Sequence, residues 1–422
     1  MVVGRARGIS CRGLSVVGWS ARHLDRFEQV LSCAMTGETR TLDAQDRAAT
    51  ARNGSGRHLH VLDYLRFVAA AVVLAFHYTF NGINNGKIAS LDTYWPITPV
   101  TQYGYLGVDL FFLISGFVIL NSARNKTARQ FAVGRAVRLY PAFWAAVLVT
   151  AAVTVAFGHV NGLTVTPKQV AINLTMVPSL LGAPLVDGVY WTLLFELEFY
   201  ALVFLLLLAG QGRRLGAFLP WWAFGMLAVS LIVPQYAGLP GLGGYFALFA
   251  GGALIAEIRH HGPSVLRVAG LVASAATALP HAARHAHELE VATRVDFSET
   301  TAAVLVGVCY LAILSMCLPR VAAVRLPAAV LLGALTYPLY LVHAHIGYMM
   351  LSLFATEQNR LWVYPMVIAG VLGLAYGLHV LVERRPKAFW FRIFDGTVGR
   401  AVGAVTPTRG GRHRPVRPTP TR

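Results

Sequence analysis

Ten long apolar stretches, separated by short polar or basic segments, constrain the fold of this chain more than any other feature. Hydrophobic residues make up 56% of its 422 positions and charged residues only 13%, a balance too apolar for a water-soluble protein of this length. An α-helix needs about 20 predominantly apolar residues to cross the roughly 30 Å of hydrocarbon in a bilayer. The stretches close to that length are 61–82, 104–121, 136–157, 189–209, 216–233, 242–257, 265–280, 300–318, 329–353 and 362–382. We therefore predict an all-α, polytopic transmembrane helical bundle of about ten spans.

The basic residues indicate how this bundle is oriented. Arginine and lysine precede the first stretch and follow the second, fourth, sixth, eighth and tenth, whereas the opposite side carries only Lys87, Lys168, Arg284, Arg294 and Arg360. Cytoplasmic loops are enriched in these residues, so both termini are predicted to be cytoplasmic in a multi-pass protein of the plasma membrane. The net charge of +17 then reflects topology and affinity for anionic membrane lipid, and not nucleic-acid binding.

Both ends of the chain differ in composition from the apolar region. Residues 1–56 are polar and basic without helical or strand periodicity, and residues 393–422 contain Thr-Pro and Arg-Pro steps. We predict a disordered basic N-terminal arm over 1–56, a transmembrane domain over 57–392 and a disordered basic C-terminal tail over 393–422. Met35 is an alternative start of translation.

Common metal and nucleotide motifs are missing from the sequence. The four cysteines, Cys11, Cys33, Cys309 and Cys317, form no Cys-x-x-Cys pair, so neither a zinc site nor a disulfide framework is predicted. No glycine pattern of the Walker or Rossmann type follows a predicted strand. A pump driven by ATP bound to this chain is therefore not expected.

Two ionisable residues interrupt the first apolar stretch. Arg66 and His77 lie eleven positions apart, close to three helical turns, so a helix places both on one face about 16 Å apart along its axis. An ionisable side chain at membrane depth costs roughly 2.5 kcal/mol or more, which marks both residues as candidates for function. The structural alternatives are a core histidine bonded to a carbonyl and an arginine that reaches back to the lipid headgroups.

Other polar side chains form two layers in the predicted orientation. The outer half of the bundle holds His77 together with Asp109 and Glu196, the set that a general base and its orienting carboxylates need. The cytoplasmic ends of the helices carry Arg66, Arg138 and Glu383, and guanidinium groups there can bind a polyanionic cytosolic ligand. The sequence thus indicates a site that captures an anion at one end and holds a base at the other.

Two further histidines lie in the middle of the ninth stretch. On a continuous helix, side chains two positions apart point about 200° away from each other. We therefore expect only one of His343 and His345 to face the interior, and we predict that it is His343.

Six phrases of the sequence, in order, resemble the motifs of the acyltransferase-3 family of integral membrane O-acyltransferases. The spacing of Arg66 and His77 is similar to the R-x10-H spacing of that family. Departures such as Thr192, Phe195 and Thr336 concern substrate preference more than chemistry. The matching phrases are LDYLRF to FH at 62–77, GYLGVDLFFLISGF at 104–117, RLYP with a following Trp at 138–144, WTLLFELEFY at 191–200, LGALTYPLYLVH at 332–343 and VERRP at 382–386.

The resemblance implies transfer of an acyl group, usually acetyl, from acyl-CoA to a hydroxyl of a carbohydrate or glycosylated metabolite. Acyl-CoA is then a co-substrate, and no bound cofactor or metal is implied. The resemblance gives His77 the role of catalytic base, with Asp109 and Glu196 tuning it and Arg66 and Arg138 on the donor side. Residues of the same phrases for which no role is implied are Ser115, Tyr140, His343 and Glu383.

Two mechanisms and two other functions remain open at this stage. The acceptor either meets acyl-CoA directly at His77 or receives the group from an acyl-histidine. About 40 residues follow the last stretch, too few for the soluble hydrolase-like domain of some relatives, so a separate partner enzyme is possible. The alternative functions are a proton-coupled transporter or exporter that uses His77, Asp109 and Glu196 as a relay, and a heme-binding bundle with His77 and His343 as ligands.

Overall fold

The computed structural model describes residues 58–405, and the predicted disorder of residues 1–56 lies outside this region. Within it, every regular element is a helix. The protein is therefore an all-α polytopic bundle, as predicted. Its long helices are α1 His60–Asn84, α2 Thr98–Ala123, α3 Ala128–Val160, α4 Gly188–Leu208, α5 Gly212–Ile232, α6 Gly244–His261, α7 Val265–Thr293, α8 Glu299–Cys317, α9 Ala329–Val342, α10 Ala344–Phe354 and α11 Arg360–Arg384.

Eight of these helices are long and apolar enough to cross a membrane, and the bent pair α9 and α10 makes nine if the two together form one broken span. Helix α6 occupies the remaining predicted stretch. Its 18 residues are rich in glycine and alanine, and every residue from Phe246 to Glu257 is buried. This helix faces other helices on all sides and not lipid, which explains its less apolar composition.

The crossing of α2 and α6 forms the centre of the bundle. A side chain at Gly116 would collide with the backbone of α6 at Phe249, and one at Gly252 would collide with the backbone of α2 at Leu113. Small residues allow helices to approach closely, which stabilises them where the hydrophobic effect cannot. The GVDLFFLISGF phrase therefore provides the packing surface that fixes α2 against α6.

The ninth predicted stretch is broken at His343, where α9 and α10 meet at 68°. Asp187 Oδ2 accepts a hydrogen bond of 2.9 Å from the backbone N–H of His345, and Tyr190 OH donates one of 3.1 Å to the carbonyl of Leu341. Backbone groups at membrane depth need such partners because water is not available to them. The break therefore depends on side chains of the segment that begins α4.

Helical structure continues beyond the predicted end of the domain. Helix α12, Lys387–Phe394, is followed by a π-helical turn at Asp395–Gly399 and a last helix at Arg400–Val405. The predicted boundary of disorder at residue 393 is therefore wrong, and the rest of the predicted tail lies outside the described residues. Packing explains the order, because Phe394 contacts Trp144 and Tyr140 of α3. This contact also gives Tyr140 of the RLYP phrase a structural role.

Candidate active site

Two cavities lie one above the other inside the bundle. The outer cavity, of about 330 Å³, contains His77, and the inner cavity, of about 110 Å³, contains Arg66 and Arg138. Val108 and Tyr340 line both cavities. The wall between them is therefore only about one side chain thick.

His77 lies where α1 changes from regular helix to a π-helical turn that runs from His77 to Asn81. Such turns are rare and occur often at functional sites. The Nδ1 atom of His77 is 2.5 Å from Tyr348 OH, and the amide nitrogen of Asn81 is 3.0 Å from that same hydroxyl. The ring is thus held through Nδ1, which leaves Nε2 for a ligand in the cavity.

His343 packs against the other side of the His77 ring. The two ring centroids are 5.1 Å apart in an edge-to-face arrangement. His343 Nδ1 lies 2.8 Å from the carbonyl of Tyr340 and therefore carries the donated proton. Because the two rings touch, no macrocycle fits between them, and this geometry argues against the heme-binding alternative.

The prediction that only His343 faces the interior is wrong. His343 is 1% exposed and His345 is 7% exposed, and His345 lines the outer cavity. The prediction assumed a continuous helix, whereas the 68° break turns both side chains inward. The same break brings Tyr348 of α10 to His77.

The two predicted carboxylates occupy different cavities. Asp109 lines the outer cavity with His77, but the two side chains share no hydrogen bond. Glu196 lines the inner cavity, where it accepts a hydrogen bond from Tyr200 and lies 3.4 Å from Ser115 Oγ. The prediction that Glu196 lies in one layer with His77 is therefore wrong, because its helix places it deeper and below the wall that Tyr340 forms.

The lining of the inner cavity carries more positive than negative groups. Three guanidinium groups, those of Arg66, Arg135 and Arg138, line it, and Glu196 is its one acidic lining residue among positions 58–405. Arg135 was not predicted, and its guanidinium lies 5.6 Å from the centre of the Tyr200 ring. Arg66 and Arg138 thus lie in one cavity, together with Arg135.

Neighbouring carboxylates hold two of these arginines. Arg66 lies 3.7 Å from Asp63, and Arg138 lies 3.3 Å from Glu383. Glu383 also lies 2.8 Å from His379 Nδ1, one helical turn earlier. Glu383 of the closing family phrase therefore orients Arg138 and does not contact the His77 cavity.

The outer cavity has walls that suit a polyol. It is lined by flat aromatic side chains, including Trp191, Tyr245 and Tyr348, with Asp109 and Asn81 between them. Aromatic side chains offer an apolar face, and the amide and carboxylate groups bond to hydroxyls. Lining residues that sequence reasoning missed are Asn81, Lys87, Asp187, His285, His345 and Tyr348.

Only one of these missed residues has a local sequence signal. Asn81 lies four positions after His77, so a helix places the two on one face. Asp187 lies in the connection before α4, and Tyr348 lies in α10, after the break that ends α9. No local sequence pattern marks either the connection or the break.

The chain is similar to a known protein family and to two bacterial proteins. The acyltransferase domain model of the acyltransferase-3 family matches residues 59–380. The chain is 32% identical over 162 residues to the exopolysaccharide production protein ExoZ of Rhizobium meliloti (strain 1021), which covers 36% of this chain and 43% of that protein. It is 31% identical over 182 residues to nodulation protein 10 of Rhizobium leguminosarum bv. viciae, which covers 39% and 48%.

These matched segments span slightly less than half the length of each relative. No solved structure matches the chain. The family match, in contrast, covers most of the chain and includes both cavities. The chain therefore belongs to the acyltransferase-3 family, a family of membrane enzymes that transfer acyl groups.

Proposed function

We propose that this protein is a plasma-membrane O-acyltransferase that moves an acyl group, acetyl in the simplest case, from acyl-CoA to a hydroxyl of a carbohydrate or glycosylated metabolite. The observation that carries the proposal is the pair of adjacent cavities, one cationic and one holding a histidine, separated by Tyr340 and Val108. In the predicted orientation, the cationic cavity lies toward the cytoplasm.

The inner cavity supports a polyanionic donor. Guanidinium groups bind phosphate oxygens in a bidentate manner, and Arg66, Arg135 and Arg138 all line this cavity. The cavity is too small for a whole coenzyme, so the phosphates would lie at its cytoplasmic mouth. The thioester would then reach past Tyr340 toward His77.

The outer cavity supports a sugar acceptor, because its aromatic walls and polar groups suit a ring with several hydroxyls. The printed name of ExoZ, an exopolysaccharide production protein, points to the same class of acceptor. A cell-surface polysaccharide, a lipid-linked sugar and a glycosylated small molecule all present such a ring.

His77 would act as the base of the reaction. A hydroxyl is a weak nucleophile near neutral pH, and an imidazole of ordinary pKa about 6.5 can accept its proton. His77 Nε2 takes the proton as the hydroxyl oxygen attacks the thioester carbonyl, and the C–O bond forms. The C–S bond then breaks, and the thiolate of coenzyme A takes the proton from the imidazolium.

A route through an acyl-histidine gives the same products in two steps, with His77 as the nucleophile. Incubation with labelled acetyl-CoA in the absence of acceptor separates the routes. Label that stays on wild-type protein and is absent from the His77→Ala variant supports the two-step route.

The proton-coupled transporter finds less support in this geometry. A relay needs His77, Asp109 and Glu196 in one connected path, whereas Glu196 is bonded to Tyr200 in the inner cavity. No observation on the described residues favours transport over transfer.

The proposal is tested with purified protein, labelled acetyl-CoA and a pool of oligosaccharides. General base catalysis contributes about 10²- to 10⁴-fold, so His77→Ala should lower transfer by at least 10²-fold while folding and insertion stay normal. The control is His159→Ala, which alters an exposed histidine outside both cavities. Turnover of His77→Ala near the wild-type rate would refute the assignment.

A further inference from the structure

Lys87 is a cation in the outer cavity for which the reaction chemistry has no use. It lies in the loop after α1, and its Nζ atom is 3.5 Å from His345 Nε2 and 5.8 Å from the centre of the Tyr348 ring. His345 Nδ1 lies 3.0 Å from the carbonyl of Val186, so Nδ1 is the donor and Nε2 is the acceptor that faces Lys87. A neutral imidazole, and not a carboxylate, is therefore the nearest polar neighbour of this ammonium.

No carboxylate within residues 58–405 forms an ion pair with Lys87. Asp187 is fully buried, and its two oxygens accept hydrogen bonds from the backbone N–H groups of Val189 at 3.2 Å and of His345 at 2.9 Å. Asp109, the other acidic residue of this cavity, belongs to α2 and also forms no ion pair with Lys87. The Lys87 ammonium thus lines the outer cavity without a direct ion pair, in a lining that also holds Asp109 and Asp187.

The position of Lys87 is fixed by its backbone and not by its side chain. The carbonyl of Lys87 accepts hydrogen bonds from Asn161 at 3.0 Å and from Ser352 at 3.1 Å, and its N–H donates to Asn85 at 3.1 Å. Two other segments therefore hold this loop in place, and Asn85 closes a hydrogen bond within the loop itself. The ammonium is presented to the cavity by a rigid frame, as a binding group requires.

We propose that Lys87 binds an anionic group, a carboxylate or a phosphate, on the acceptor whose hydroxyl is acylated at His77. This inference rests on the proposed function and names the acceptor class for the same cavity. Tyr348 contacts both residues, since its hydroxyl bonds to His77 and its ring lies beside Lys87. His77 and Lys87 therefore lie beside one tyrosine in the same cavity. A lysine ammonium acts as a point charge and accepts either anion.

Binding in the absence of acyl-CoA tests the inference directly. The probes are an oligosaccharide that ends in glucuronic acid, its neutral carboxyl-reduced form, glucose 1-phosphate and glucose, each titrated against protein in lipid nanodiscs. Wild-type protein should bind at least one acidic probe roughly 10- to 100-fold more tightly than its neutral counterpart, the gain typical of a charge-assisted hydrogen bond. The uronic acid and the sugar phosphate then distinguish the two sources of negative charge.

Substitutions at Lys87 connect this preference to the side chain. Lys87→Gln should remove the preference for the acidic probe, and Lys87→Arg should keep most of it. Lys168→Gln, which alters an exposed lysine on the same side of the protein and outside the cavity, is the matched control. Equal binding of acidic and neutral probes by wild-type protein, or a preference that survives Lys87→Gln, would overturn the inference.

The outcome is separable from that of the proposed function. A protein that binds acidic sugars through Lys87 but transfers no acyl group refutes the transfer reaction alone. A protein that acylates acidic and neutral acceptors with the same kcat/KM, before and after Lys87→Gln, refutes the role of Lys87 alone.

Discussion

Replacement of Tyr348 by phenylalanine isolates the hydrogen bonds that hold His77. The ring of the variant stays the same size, so the packing of α10 and the contact with Lys87 are kept. The hydroxyl is lost, and with it the 2.5 Å contact to His77 Nδ1 and the 3.0 Å contact to Asn81. The variant therefore removes the hydrogen bond that positions the His77 imidazole and changes little else.

The expected size of the effect follows from the contact to His77 Nδ1. A hydrogen bond of this kind contributes about 0.5–1.5 kcal/mol, so its loss raises the barrier by up to about that amount when the ring is no longer oriented for proton transfer. This corresponds to a decrease of roughly 2- to 10-fold in kcat. The KM for acyl-CoA should change little, because Tyr348 does not line the inner cavity.

Steady-state transfer of labelled acetyl to an oligosaccharide measures this effect, and the melting temperature in detergent controls for folding. A double-mutant cycle with Asn81→Ala should give a non-additive result, since the two residues share one hydroxyl contact. A Tyr348→Phe variant that folds normally and keeps wild-type kcat would refute this account of how His77 is held.

Three further predictions concern the donor side, the core and the outer loop. Arg66→Ala should raise the KM for acyl-CoA roughly tenfold, and added salt should reduce the difference from wild type; a change in the KM for the sugar alone would contradict this. Gly252→Val should lower the melting temperature by several degrees or abolish folding, whereas Gly370→Val, at a position with open space around it, should not; equal melting temperatures would disprove the α2–α6 packing. Backbone N–H groups, including that of Thr93, lower the pKa of Glu357. The ionised carboxylate therefore stabilises the loop that contains Thr93 at pH values above its ordinary pKa of about 4. Protection of the backbone amides of this loop from hydrogen exchange should fall as the pH drops below that value. Hydrogen exchange measures this protection, and Glu357→Gln should remove the pH dependence.

The sequence predicts the fold well because the bilayer limits the possible structures. Apolar length alone locates the crossing helices, since backbone groups in lipid must be satisfied within a helix. Helix α6 is also predicted, although its buried face is rich in glycine and alanine. The length of α3 is less predictable, because its amphipathic first turns from Ala128 extend beyond the apolar stretch.

The site is less predictable, because it depends on contacts between distant segments. His77 and Asp109 reach one cavity as predicted, whereas Glu196 does not, since a depth estimate ignores the wall that Tyr340 forms. His345 reaches the cavity because the ninth stretch is broken, and Asp187 stabilises the break by accepting a hydrogen bond from the backbone N–H of His345. No local pattern reveals such a break when its partners lie far away in the chain.

A similar limit applies to the charged residues. Arg66 and Arg138 are recognisable within family phrases, but Arg135 is not, although it lines the same cavity. Lys87 lies in a loop whose conformation depends on Asn161 and Ser352 from two other segments. The sequence thus indicates the type of chemistry at each end, and the folded structure determines which side chains meet.

The central claim is that donor and acceptor enter from opposite faces and meet at His77. Sealed proteoliposomes test it, with labelled acetyl-CoA restricted to one face and an oligosaccharide acceptor to the other. We predict transfer when acetyl-CoA is at the face that holds Arg66 and the sugar is at the opposite face, and loss of that transfer in the His77→Ala variant. Transfer that requires both substrates on the same face, or that proceeds equally in the His77→Ala variant, would contradict the claim.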